Sequence, residues 1–176
     1  MKGKLLAVLF FLAGVATAQQ PPTISDTDLE KYWSVFIMVD HVPQKARLIL
    51  QESAGISEDS STALAIYVAQ AMKDLRESAK RSGESICARK NELKASRSAL
   101  ADAVKQSDEQ WNAERRGYVT NLGTIMNTED ESKLRLWVAE RDGPAVASSE
   151  NVDAKIRSGE LDHQAMLDRS CGESNQ

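Results

Sequence analysis

Apolar residues recur along this chain at helical rather than strand spacing. Leu64, Val68, Leu75 and Ala79 follow one another at steps of four, seven and four, which places them on one side of a helix. Ile86, Leu93, Leu100, Val104, Trp111, Tyr118, Leu122 and Ile125 then recur at steps of seven, seven, four, seven, seven, four and three, a period with coiled-coil character. The spacing predicts a helical rod over residues 85–126, about 60 Å long at 1.5 Å per residue. Gly83 is the natural interruption before it, and Gly117 or Gly123 are possible interruptions within it. A stripe this narrow buries one side only, against the preceding helix or against a partner.

Start and stop signals divide the rest into further helices. Ser25-Asp26-Thr27-Asp28 offers overlapping caps, and Glu30 stands three residues after Thr27 as in a capping box, so a first helix is expected to start near Asp28. Tyr32, Trp33, Val35, Phe36, Ile37, Met38 and Val39 make that segment apolar nearly all round, as a buried helix is, while its β-branched content leaves a strand as the alternative. Pro43 disfavours helix at Val42 and predicts a break or a kink there, with a second helix, or the second arm of one bent helix, running to near Gly55. Ser57 to Ser61 caps the next apolar run, Ala63 to Met72. Asn127 or Thr128, followed by Glu129, Asp130 and Glu131, opens a helix that Gly143-Pro144 stops. After a small-residue linker at 144–149, Val152 and Ile156 predict a short helix ending at Gly159, and Leu161, Met166 and Leu167 another reaching Cys171. The expected fold is all-α: a helical bundle or hairpin with one long, coiled-coil-like central helix.

The N-terminus reads differently. Lys2 and Lys4 precede an apolar stretch from Leu5 to Val15, and Ala16-Thr17-Ala18 supplies small residues before Gln19, the three-part pattern of a cleavable secretory signal. Cleavage is expected after Ala18, and Gln19 stands where a lipoprotein would carry cysteine. The expected organisation is a signal peptide at 1–18, an extended leader at 19–25 containing Pro21-Pro22, one helical domain at 26–172 and a disordered tail at 173–176. The expected destination is the periplasm or the medium.

Export changes the reading of the two cysteines. Cys87 and Cys171 are 84 residues apart, and two cysteines in an oxidising compartment are expected to pair. Such a bond requires the chain to fold back so that residue 171 meets the start of the rod.

Charge excludes some partners. Two of the chain's 22 basic residues fall in the signal, leaving 20 against 26 acidic residues, a net of −6. Dispersed bases in an acidic chain give no electrostatic footprint for nucleic acid or anionic lipid. No later apolar run approaches the ~20 residues a membrane span needs.

Little catalytic chemistry is legible. The only histidines, His41 and His163, stand in no metal-ligand spacing, so no metal or other cofactor is expected. There is no Gly-x-Ser-x-Gly elbow and no glycine-rich phosphate loop. Ile49-Leu50-Gln51-Glu52-Ser53 resembles the Gln-Glu-Ser core of soluble lytic transglycosylases, exported all-helical enzymes that cleave peptidoglycan with one glutamate. That resemblance implies Glu52 as acid and base; it covers five residues, and the family's following glycine-rich segment is absent, with no glycine from Ser61 to Gln70. Three function classes follow: a binding or scaffolding protein of the bacterial envelope, which leads; an inhibitor or immunity-type protein against a partner enzyme; and a peptidoglycan-cleaving enzyme using Glu52. Trp33, Trp111, Tyr118 and Trp137 are the interface candidates, for a protein partner in the envelope or for self-association, because large aromatics desolvate much area at low entropy cost.

Overall fold

A computed structural model of the chain describes residues 24–141 and 151–172. The signal peptide and most of the leader, the Gly143-Pro144 stop with its linker, and the tail at 173–176 lie outside these residues. Among the described residues the regular structure is helical throughout: α1 (Asp26–His41), α2 (Pro43–Ile49) with a widened final turn at Leu50–Ala54, α3 (Glu58–Ala88), α4 (Lys90–Ala95), α5 (Arg97–Thr120) with a 3-10 turn at Asn121–Thr124, α6 (Thr128–Glu140), α7 (Val152–Ser158) and α8 (His163–Gly172).

α1 begins slightly earlier than expected. Ser25 is its N-cap, accepting the Asp28 amide at 3.1 Å, so the Thr27–Glu30 box does not form the cap. The break at Val42 (φ −137°, ψ 60°) and the opening of α2 by Pro43 agree with the sequence reading. Gly55 closes the second helix at φ 68° and Gly159 closes α7 at φ 82°, left-handed conformations that glycine reaches without Cβ strain.

The expected 85–126 rod is replaced by a hairpin. α3 runs straight through Gly83 to Ala88, the chain turns through α4, and α5 returns antiparallel to α3. Ser82 meets Ser107, Ser78 meets Glu114 and Asp74 meets Tyr118 across it. Gly83 does not stop the helix because an exposed glycine costs it only about 1 kcal/mol against a run of good helix formers. The reversal is made at Ser96, whose extended backbone and side chain, accepting the Ala99 amide at 3.2 Å, cap α5. Gly117 lies inside α5 without breaking it, and Gly123 lies in the 3-10 turn.

The reversal produces two separate hydrophobic cores. The larger joins Trp33 and Phe36 of α1, Leu50, Leu64, Val68 and Leu75 of α2 and α3, Val119 and Leu122 at the end of α5, and Leu134 and Val138 of α6. The smaller gathers Leu93, Leu100, Ala101, Ile156 and Leu167 from α4, α5, α7 and α8. At about 1.5–3 kcal/mol per large side chain removed from water, the larger core carries most of the apolar driving force. The sequence stripe is divided between them: Leu93, Leu100 and Val104 serve the small core, Trp111, Tyr118 and Leu122 the large one. Ile86 and Val104 are left only partly buried at the small core.

Candidate functional site

Cys87 sits one residue before the end of α3 and Cys171 one before the end of α8. They form a disulfide, with Cα atoms 5.5 Å apart. The bond pulls the end of α8 against α3, and Asp168 adds ion pairs to Lys90 (2.8 Å) and Lys94 (2.6 Å) of α4. His163, at the start of α8, holds its Nε2 3.0 Å from the Lys94 carbonyl oxygen.

α3, α5 and α8 diverge beside this bond and leave a groove of about 510 Å³, within the range of small-ligand sites. Ile86, Leu100, Val104, Met166 and Leu167 make its walls apolar, and Lys80 and Glu84 stand at its edge as an ion pair at 3.8 Å. Gly83 lies along the same wall, and a Cβ built there meets no atom within 4 Å.

Between the two cores the α3–α5 hairpin has a polar waist. Ser78 donates to Glu114 Oε1 at 2.8 Å, Gln110 donates to the same oxygen at 2.9 Å, and Ser82 and Ser107 share a hydrogen bond of 2.7 Å. Two cavities of about 260 Å³ each flank this seam. Tyr118 closes the waist on the large-core side: its hydroxyl donates to Asp74 at 3.0 Å, while Tyr67 donates to the Tyr118 carbonyl at 2.9 Å. Burial, with the Asp74 carboxylate beside it, pushes the Tyr118 phenol up to about 12.

The interface candidates lie inward. Trp33 is 8% exposed and packs edge-on against Trp111 with centroids 6.0 Å apart; Trp111, Tyr118 and Trp137 are partly buried against the large core. The Arg115 guanidinium lies over Trp33 at 4.6 Å and that of Arg141 over Trp137 at 4.4 Å. These rings are anchors of the fold.

Glu52 is exposed on the widened turn after α2, and it lines none of the cavities described above. Its neighbour Gln51 donates to Ser61 at 2.7 Å and fixes the turn to α3. His41 ends α1 and His163 opens α8, and no group of three metal-ligating side chains occurs among the described residues.

Two polar centres were not singled out in the sequence. Asp130 in the first turn of α6 is 3% exposed and accepts from Ser57 Oγ and Ser60 Oγ, each at 2.6 Å, and from Asn127 Nδ2 at 2.9 Å. Those donors, Ser57 and Ser60 first, hold its carboxyl down to about 2. Arg115 is 5% exposed, with Nη2 2.9 Å from Glu30 Oε1 and Nη1 donating to Asn112 at 3.1 Å. Its Nε makes no hydrogen bond among the described residues. Burial lowers its affinity for the proton, but a guanidinium remains charged at any physiological pH.

Compared with known protein families, curated proteins and solved structures, the chain matches none.

Proposed function

We propose that this chain is an exported binding protein of the bacterial envelope that receives apolar side chains of a protein partner in the groove beside Cys87–Cys171. The observation that carries the reading is the groove itself: apolar walls from three helices around about 510 Å³, on a fold whose large aromatics are already committed to its core. Its rim favours a protein as occupant. Lys80 and Glu84 present both signs of charge, which suits a mixed polar surface around an apolar anchor, whereas an anionic lipid surface would call for a basic cluster that this acidic chain lacks. Exposed side chains with ordinary surroundings, Glu52 among them, lend the enzyme reading no support.

The test places a photo-crosslinking residue at Met166 in the full exported chain and, as a control, at Ile66, which is 69% exposed elsewhere on α3. A discrete envelope protein should be captured from position 166 and not from 66. Once identified and purified, it should bind the intact chain at least about tenfold more tightly than the Gly83→Trp variant, which sets an indole on the groove's wall. Equal capture from both positions, or unchanged affinity in Gly83→Trp with the fold intact by circular dichroism, would overturn the reading.

A further inference from the structure

The disulfide spans only the small core. α4, α7 and α8 are 6, 7 and 10 residues long, each too short to hold helical structure in water without packing. They are held by five buried side chains among the described residues, against eighteen in the large core. The waist of Ser78, Ser82, Ser107, Gln110 and Glu114 separates the two cores with hydrogen bonds in place of apolar contacts, so loss of packing in one need not propagate into the other. Asp168 and His163 tie α8 to α4, and the disulfide is its covalent tie to α3. Asp168 is half exposed, so those ion pairs hold weakly. Both cysteines are only partly buried and line the groove, within reach of an attacking thiolate.

We propose that Cys87–Cys171 is a redox latch on the groove. A dithiol reductant attacks one sulfur through its thiolate, forming a mixed disulfide and releasing the other cysteine as a thiol. Its second thiol then displaces the remaining cysteine. The chain gains two electrons and two protons as two thiols, and the reductant becomes a disulfide. α8 then leaves α3, the wall made by Met166 and Leu167 opens, and Ile86, Leu100 and Val104 meet water while the large core stays folded. Reoxidation returns α8 to α3 and rebuilds the groove wall. The inference concerns the groove's state and stands independently of what the groove binds.

Hydrogen exchange read by mass spectrometry on the full exported chain, oxidised and after dithiothreitol without denaturant, tests it. Reduction should speed exchange at least about tenfold in peptides from 97–104 and 151–172, with those from 29–39, 64–75 and 130–138 unchanged within about twofold. The Cys87→Ser, Cys171→Ser double variant should show the same pattern without reductant, and reoxidation of the wild type should restore protection. Three results would overturn the latch: exchange unchanged everywhere, exchange raised uniformly through the large core, or reduction that proceeds only when the large core unfolds.

Discussion

Ser57 Oγ donates to the Asp130 carboxylate at 2.6 Å across 73 residues of sequence, joining the first turn of α6 to the cap of α3. Ser57 also accepts the Ser60 amide at 3.2 Å, and Asn127, the cap of α6, accepts the Asp130 amide at 2.9 Å. One buried carboxylate therefore completes the N-termini of two helices, where the aligned peptide dipoles favour negative charge.

Asp130→Asn should lower stability at pH 7 by about 2 kcal/mol, the scale of hydrogen bonds made to a charged group. The folded carboxyl titrates at about 2, below the ordinary unfolded value near ~4. The stabilisation is therefore present above pH ~4 and is lost as pH falls through about 2. Urea melts at pH 7 and pH 2 should show the gap between wild type and variant narrowing in acid.

Arg115→Ala removes the guanidinium that fills the space between Trp33 and Glu30, and a loss of roughly 3 kcal/mol is expected from the vacated volume and the stranded charge. Arg115→Met keeps the stem and should cost less than half as much. Chemical denaturation of both variants decides whether packing or charge dominates.

Gly83→Ala should raise the thermal midpoint, because the helix passes through Gly83 with open space around its Cα and alanine is favoured there by about 0.5–1 kcal/mol. A midpoint that falls would mean that the position is more confined than this geometry allows.

Glu52→Gln should leave stability within about 0.5 kcal/mol of wild type, as substitutions on an exposed turn do. Turbidity of purified cell walls is expected to stay unchanged with either protein; clearing by the wild type that disappears in the variant would restore the glutamate to a catalytic role.

The pattern of a secretory signal predicts an exported form beginning at Gln19. Intact-mass measurement of protein recovered from outside the cytoplasm checks it, and a mass that includes residues 1–18 would refute it.

Signals carried by a single residue or a short local run were legible in the sequence. Pro43 marks a break, Gly55 and Gly159 end helices, Asn127 caps one, and the two cysteines pair. The reversal at Ser96 was hidden because Lys90 to Ala95 are good helix formers in a continuous stripe. Tertiary gain decides there: turning the chain back buries Leu93 and brings Cys87 within reach of α8. The groove left only the faint trace of a glycine inside a helix that does not end. The Asp130 hub left half of its signal, since the acidic turn after Asn127 was plain while Ser57 and Ser60 stand 70 or more residues away.

The bond between Cys87 and Cys171 also decides how the molecule carries mechanical load. Tension applied between residues 24 and 172 of the oxidised chain runs along α1, α2 and α3 to Cys87 and crosses directly to Cys171, so α5, α6 and α7 bear no direct pull. Only about 64 residue spacings can be drawn out, roughly 220 Å at ~3.4 Å each; once the sulfurs are parted, all 148 spacings, about 500 Å, become available. The same chain is thus a short tether when oxidised and one more than twice as long when reduced, a difference that a single-molecule extension trace would read directly.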